Sequence, residues 1–160
     1  MKKNWIKIGE GIYVFEVEGK EAGKIEISHK NASAAAISLG RKQYFISRTG
    51  FGKNRIEIRD ENRQIILKTY PKKWYSNASV LEYNNQKYSL VLRNNPLAEY
   101  AITYKDKDIL AYGLDSTKGN ISTKIITTDP RSEILFDFLL WYLFVSIAED
   151  ITGEDVTLVL

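Results

Sequence analysis

The sequence predicts a mainly β fold: a closed antiparallel β-barrel of about twelve strands around a hydrophobic C-terminal helix. Two patterns lead to this prediction. Along the first three quarters of the chain, short runs rich in Ile, Val, Tyr and Phe alternate with polar residues at a period of two. Near the C terminus, a longer segment is apolar on every side of a helix. The 160 residues, 44% of them hydrophobic, suit one domain spanning residues 1–160.

The predicted strands are short and closely spaced. In one of them, Ile56 and Ile58 alternate with Arg55, Glu57 and Arg59, which places three charges on the solvent face. Clusters of Gly, Asn, Asp and Lys that are typical of turns separate the runs. Because the connections are short, we expect an antiparallel meander, and so many short strands indicate a barrel or a sandwich. The predicted strands span residues 4–8, 12–18, 23–28, 33–38, 42–48, 54–59, 64–70, 78–83, 88–93, 98–104, 108–114 and 120–127.

The predicted helix spans residues 130–150, opening at Asp129-Pro130 and ending near Gly153. Residues 138–148 are apolar all round, so this helix must be surrounded. Eleven helical residues span about 17 Å, against about 30 Å of hydrocarbon in a bilayer, so we predict no transmembrane span. A barrel of about twelve strands is wider inside than side chains alone can fill. We therefore expect the helix to occupy the barrel interior.

This order of elements resembles the tubby C-terminal-like superfamily, in particular its LURP-one-related and phospholipid scramblase branch. The resemblance lies in residues 44–48 leading to 55–60, then residues 65–68, and finally the helix 134–148. It implies a closed antiparallel barrel threaded by the C-terminal helix. It also implies contact with membrane lipid headgroups, since tubby domains bind phosphoinositides through basic side chains.

Composition and motifs exclude several kinds of chemistry. The chain has no Cys and a single His, His29, which excludes thiol nucleophiles, redox pairs, Cys-containing zinc sites and multi-His metal sites. Residues 50–53 (Gly-Phe-Gly-Lys) are interpreted as a hairpin turn, because a P-loop needs Gly where Ser47 stands. No GxSxG, HExxH or SxxK pattern occurs. We predict no enzymatic activity, no metal and no cofactor, with a small carboxylate-dependent enzyme or a lipocalin-like ligand carrier as alternatives.

Charge is distributed unevenly along the chain. The net charge of +3 is the difference between residues 1–80, with 16 Lys/Arg against 8 Asp/Glu, and residues 81–160, with 7 against 12. Residues 41–73 hold ten of the cations and only three acidic residues. This asymmetry is the strongest functional indication in the sequence. The predicted ligand-binding face consists of Arg55, Arg59, Lys72, Lys73 and Trp74.

Such a face suits anionic phospholipid headgroups, with the aromatic residue at the level of the membrane interface. An acidic protein surface is a second possible partner, and single-stranded nucleic acid is a less favoured one. The alternative explanation is structural: Lys and Arg on edge strands discourage aggregation, and the basic half meets the acidic half within the fold. No apolar signal segment follows the basic residues at the N terminus, so we predict a cytoplasmic binding module with peripheral contact to the membrane.

Overall fold

A computed structural model describes residues 2–28, 34–73, 76–94, 97–117, 120–152 and 157–158, with backbone alone at 116–117, 120–122, 150–152 and 157–158. The fold is mainly β, with twelve antiparallel strands in a nearly closed barrel and one C-terminal helix, as predicted. The strands are β1 (Lys3–Gly9), β2 (Ile12–Val17), β3 (Lys20–Ile27), β4 (Ala34–Leu39), β5 (Lys42–Thr49), β6 (Arg55–Arg59), β7 (Ile65–Pro71), β8 (Ala78–Tyr83), β9 (Gln86–Asn94), β10 (Ala98–Tyr104), β11 (Lys107–Thr117) and β12 (Asn120–Thr127). Helix α1 spans Ile134–Thr152, and a two-residue strand, β13 (Thr157–Leu158), follows it.

The sheet is a simple meander in which each strand from β1 to β12 pairs with the next. Strand β13 pairs with β1 on its free side, with Trp5 opposite Leu158, and also contacts β12. The two edges of the meander therefore meet at this short strand. Strand β13 is not among the predicted strands.

Tight turns set the register between neighbouring strands. Asn84 and Asn85 form the whole connection between β8 and β9, and both have positive φ angles, 51° and 60°. Two left-handed residues in a two-residue loop make the hairpin turn whose twist matches that of the strands. Asn tolerates this conformation better than most residues, which explains the sequence at this position. Turns of this kind keep the alternation of inward and outward side chains from one strand to the next.

Helix α1 begins four residues later than predicted. Asp129 and Pro130 form a turn instead: the Asp129 carboxylate accepts a hydrogen bond from the backbone N–H of Arg131 at 2.8 Å, and the Ser132 N–H donates to the Asp129 carbonyl at 3.1 Å. An Asp followed by Pro favours a turn as well as a helix start, so the local pattern does not distinguish the two. The predicted end at Gly153 lies outside the described residues.

The helix lies inside the barrel, as predicted. Residues 135–145 are all buried, and the side chains of Leu140, Trp141 and Phe144 are fully covered. Trp5 of β1 stacks on Trp141 with ring centroids 5.2 Å apart, and Phe138 meets Trp5 edge to face. Within the part of the chain that the structure describes, no helix has the length and apolar character needed to cross a membrane.

One polar cluster lies in this apolar interior and joins the helix to the barrel wall. The ammonium of Lys3 donates to both carboxylate oxygens of Asp137, at 3.1 and 3.0 Å. The Tyr112 hydroxyl donates to Asp137 at 2.8 Å and accepts from the Trp5 indole N–H at 2.9 Å. Burial raises the pKa of Asp137, and the charge of Lys3 opposes that rise. Burial also raises the pKa of Tyr112 well above 10, so its hydroxyl remains a donor.

The helix runs from one end of the barrel to the other. Leu135 lines a surface cavity together with Asn62 and Asn84, so the helix begins beside the turns that follow β6 and β8. Further along, the ring of Tyr142 lies 5.4 Å from the guanidinium of Arg48, close to the opposite end of the wall. We call the end where the helix begins the lower end. The upper end carries the β5–β6 and β7–β8 connections.

Candidate functional site

The ten cations of residues 41–73 do not share one place on the barrel. Because the strands are antiparallel, successive connections alternate between the two ends. Arg41, Lys42, Arg59 and Arg63 lie at the lower end; Lys53, Arg55, Lys72 and Lys73 lie at the upper end; Lys68 lies on the outer face between them, and Arg48 faces the helix. The basic segment of the sequence therefore contributes two separate basic regions.

Arg55 and Arg59 share the outer face of β6, as the alternation predicts, but they lie at opposite ends of this strand. Four residues of a β-strand span about 13 Å. The guanidinium of Arg59 forms an ion pair with Glu57 at 2.6 Å and donates to the carbonyl of Arg63 at 2.8 Å. Glu57 therefore balances the charge of Arg59 near the lower end. Of the two arginines on β6, only Arg55 lies at the upper end.

The connection between β5 and β6 is a tight turn, which confirms the interpretation of residues 50–53 as a hairpin turn. The Lys53 N–H donates to the Gly50 carbonyl at 3.1 Å. Gly50 and Gly52 have φ angles of 83° and 68°, a left-handed conformation that glycine adopts without strain. Phe51 lies between them with 98% of its surface exposed. In the sequence pattern, Phe51 is distinguished only as part of the predicted turn.

Arg55 lies at the base of this turn. A Cβ added at Gly50 would lie 3.0 Å from Cδ of Arg55, so the arginine stem packs directly against the glycine. The guanidinium lies 5.9 Å from the centroid of the Tyr70 ring on β7. These two contacts hold the charge of Arg55 beside the turn that carries Phe51.

The β7–β8 connection lies next to the β5–β6 turn, because β6 and β7 pair with Ile56 opposite Thr69. It carries Lys72 and Lys73, both exposed, and the Lys72 ammonium donates to Ser89 Oγ on β9 at 2.6 Å. Trp74, the fifth predicted ligand-binding residue, lies outside the described residues.

We refer to residues 49–56 and 69–81 together as the upper basic loops. They contain four cations, Lys53, Arg55, Lys72 and Lys73, and no acidic residue. Among the described residues, no carboxylate forms an ion pair with Lys53, Arg55 or Lys72. Such a concentration of one charge attracts anions of any kind.

The outer face below the upper basic loops is electrically balanced. Glu57, Lys68, Glu82 and Lys87 lie opposite one another across β6 to β9. The Glu82 carboxylate lies 3.3 Å from the Lys68 ammonium and 3.8 Å from that of Lys87. Alternating charges across neighbouring strands stabilise the sheet and leave little net charge. Here the structural explanation of the basic strand residues fits the geometry.

At the lower end, two carboxylates that line a cavity bind backbone N–H groups, whereas Glu82, which lines a cavity of about 600 Å³ on the outer face, is held by Tyr70 and Lys68. Asp60 and Glu61 line a lower-end cavity of about 370 Å³. Asp60 accepts hydrogen bonds from the N–H groups of Asn62 and Gln64, at 2.9 and 3.0 Å, and Glu61 accepts from the N–H of Gln43 at 2.9 Å. The contacts of these two acids resemble those of turn-forming side chains rather than those of a catalytic pair.

Tyr70 links the balanced face to the upper basic loops, because its hydroxyl donates to Glu82 at 2.7 Å while its ring lies beside Arg55. This hydrogen bond lowers the pKa of Glu82, with smaller contributions from Lys68 and Lys87. We expect Tyr70→Phe to raise the Glu82 pKa toward its ordinary value of 4.5, as measured by NMR titration of the side-chain carboxyl. A carboxyl whose pKa is lowered in the folded state stabilises the fold at neutral pH, and this contribution is lost as the pH falls through that pKa. On acidification, Tyr70→Phe should therefore lose less free energy of unfolding than the unmodified protein does.

Tyr104→Phe is the matched control for this measurement, since Tyr104 lies on β10 and its ring neighbours are Tyr88, Lys105 and Arg131. An unchanged Glu82 titration in Tyr70→Phe would show that the hydrogen bond does not shape this carboxylate.

Comparison with known proteins adds no relative to this description: no family model, no curated protein and no solved structure matches the chain. The resemblance to the tubby C-terminal-like superfamily stays a prediction from the order of the elements.

Proposed function

We propose that the protein is a non-enzymatic binding module that contacts anionic phospholipid headgroups through the upper basic loops. The observation that carries this proposal is the placement of four cations on two neighbouring loops without an acidic residue. Each Lys or Arg close to an anionic membrane surface contributes about 1 kcal/mol of attraction. Four of them strengthen membrane binding by about three orders of magnitude, enough for reversible peripheral contact.

The tubby-like resemblance supports the same chemistry, since it too implies headgroup contact through basic side chains. Relative to the face predicted from sequence, the proposed site keeps Arg55, Lys72, Lys73 and Trp74, adds Lys53, and leaves Arg59 to its pairing with Glu57.

Other functions have less support from the described residues. A lipocalin-like carrier holds its ligand in the barrel interior, and here α1 fills that space. A carboxylate-dependent enzyme needs acids that are free to exchange protons. Asp60 and Glu61 are engaged with backbone N–H groups, and Glu82, beside the larger cavity, is engaged with Tyr70 and Lys68.

Flotation with vesicles of phosphatidylcholine containing phosphatidylserine or a phosphoinositide tests the proposal. We expect binding that weakens as salt is raised, because the Debye length shortens. The double variant Lys72→Glu with Lys73→Glu should bind at least about tenfold more weakly. Binding that is insensitive to salt, or binding of a single-stranded oligonucleotide in place of vesicles, would overturn the proposal.

The matched control is Arg41→Glu with Lys42→Glu. These adjacent, exposed cations belong to the same basic stretch of sequence and undergo the same change in charge, but they lie at the lower end. We expect this variant to bind vesicles as the unmodified protein does. Equal losses in the two double variants would mean that net charge, and not the upper basic loops, governs binding.

A further inference from the structure

We infer that Phe51 inserts into the apolar part of an anionic membrane and so orients the barrel with its upper end toward the lipid. This inference rests on the proposed function and adds two statements to it. The ligand is an extended lipid surface, not a free phosphate or an isolated headgroup. One residue distinguishes insertion from electrostatic attachment.

The exposure of Phe51 sets it apart from the other phenylalanines. Phe15, Phe136, Phe138 and Phe144 are fully buried, and Phe45 is 46% exposed on the outer face of β5. Phe51 is 98% exposed, so its ring does not pack against its own protein. An aromatic side chain fully in water gains free energy from any apolar environment that covers it.

The geometry of the turn leaves Phe51 free to reach a surface. It lies between two glycines, so neither chain neighbour carries a side chain that would shield the ring. A Cβ added at Gly52 would meet no atom within 4 Å, which shows open space around the tip. The hydrogen bond from the Lys53 N–H to the Gly50 carbonyl closes the turn and holds Phe51 at its tip. The ring is therefore presented by an ordered turn.

The cations around the Phe51 turn suit an anionic membrane surface. Lys53 follows two residues later, Arg55 lies at the base of the turn, and Lys72 and Lys73 lie on the neighbouring loop. A fully exposed aromatic ring at the tip of a turn whose base carries the Arg55 guanidinium follows the order of hydrocarbon and phosphate in a bilayer. A free phosphate offers nothing for the ring. A single-stranded nucleic acid needs its aromatic platform within the charged groove, not beyond it.

Substitution separates insertion from attraction. We expect Phe51→Ser to weaken binding to phosphatidylserine-containing vesicles about tenfold or more, the loss that follows from withholding one aromatic side chain from an apolar phase. Its salt dependence should equal that of the unmodified protein, because all four cations remain. Phe51→Leu should retain most of the affinity. Because residue 51 is fully exposed, these variants should fold normally.

The absence of cysteine permits a direct measurement of depth. A Phe51→Cys variant carries a single thiol for an environment-sensitive fluorophore, and Gln64→Cys, exposed in the lower-end β6–β7 turn, is the matched control. With phosphatidylserine vesicles we expect a blue shift at position 51, quenching by spin labels on the acyl chains, and neither effect at position 64. Flotation of the same labelled protein reports binding independently.

The outcomes separate the two proposals. Vesicles that float the protein while the probe at position 51 stays in water overturn the insertion and leave headgroup contact intact. Vesicles that float neither labelled variant nor the unmodified protein overturn the proposed function and, with it, the insertion. Equal blue shifts at positions 51 and 64 would also overturn the inference, because the barrel would then have no preferred orientation.

Discussion

Leu140→Asp is expected to leave the chain without a stable native state. Leu140 is fully buried in the middle of α1, within an unbroken series of buried residues. A carboxyl there lies among apolar side chains, so it is either ionised at a cost of several kcal/mol or neutralised by a raised pKa, and the lost packing of Leu140 adds to this; the total is comparable to the about 5–15 kcal/mol that stabilises a typical domain. Phe144→Asp, one turn further along the same helix, should have the same result. Circular dichroism and two-dimensional NMR of the purified variants would measure the loss of native structure.

Two further variants keep this expectation testable when expression fails. Ser146→Asp introduces the same group on the same helix at an exposed position, so it should fold normally. Leu140→Ala removes volume without adding charge and should lower the free energy of unfolding by about 2–5 kcal/mol. A Leu140→Asp protein that stays soluble with a native spectrum would place the helix outside the barrel.

The strand positions are predictable because their determinants are local. Alternation such as that of Ile56 and Ile58 is a property of five consecutive residues, and the Asn84-Asn85 turn is encoded by two. A meander adds no long connection whose path must be guessed. The interior position of α1 was predictable for a similar reason, because a helix that is apolar on every side leaves no polar face for solvent.

The interactions that close and anchor the barrel were not predictable from local patterns. Lys3 and Asp137 are 134 positions apart, and Trp5 pairs with a strand at the other end of the chain. In the sequence, Asp137 only interrupts an apolar run. An acidic residue within a helix that must be buried nevertheless requires a partner, so the sequence does contain the signal that a buried cation exists. Which cation it is depends on the three-dimensional arrangement.

The candidate site was predictable in part. Period two shows that Arg55 and Arg59 share a face, but the face does not specify which end of the barrel a residue approaches. Counting connections supplies that information: in a meander, Lys53 and Lys72 lie in connections two apart, which fall at the same end. The same count would have brought Phe51 next to the cations. Its exposure depends on the turn geometry around Gly50 and Gly52, which the pattern alone does not give.

Lys3→Met is expected to lower the free energy of unfolding at neutral pH by about 3–5 kcal/mol, the cost of breaking a buried ion pair at one partner. Methionine keeps most of the apolar volume of the lysine stem and leaves the Asp137 carboxylate with Tyr112 as its remaining side-chain donor. Urea unfolding followed by tryptophan fluorescence would measure the change. Lys7→Met, on the same strand, removes a partly exposed partner of Glu10 and Glu149 and should cost about 1 kcal/mol or less.

The dependence on pH identifies the cause of this loss. Burial raises the pKa of Asp137 above its ordinary value of 3.8, and Lys3 opposes the rise, so without Lys3 the pKa should rise further. A carboxyl whose pKa is raised in the folded state favours folding in acid, and this contribution to the free energy of unfolding is lost as the pH rises through that pKa. The deficit of Lys3→Met should therefore be smaller near pH 4.5 than at pH 7. The double variant Lys3→Met with Asp137→Asn carries no charge at either position. It should be more stable than Lys3→Met at pH 7, and its stability should not show this dependence on pH. If Lys3→Met lost the same free energy of unfolding at both pH values, lost packing and not the unpaired carboxylate would be what destabilises the barrel.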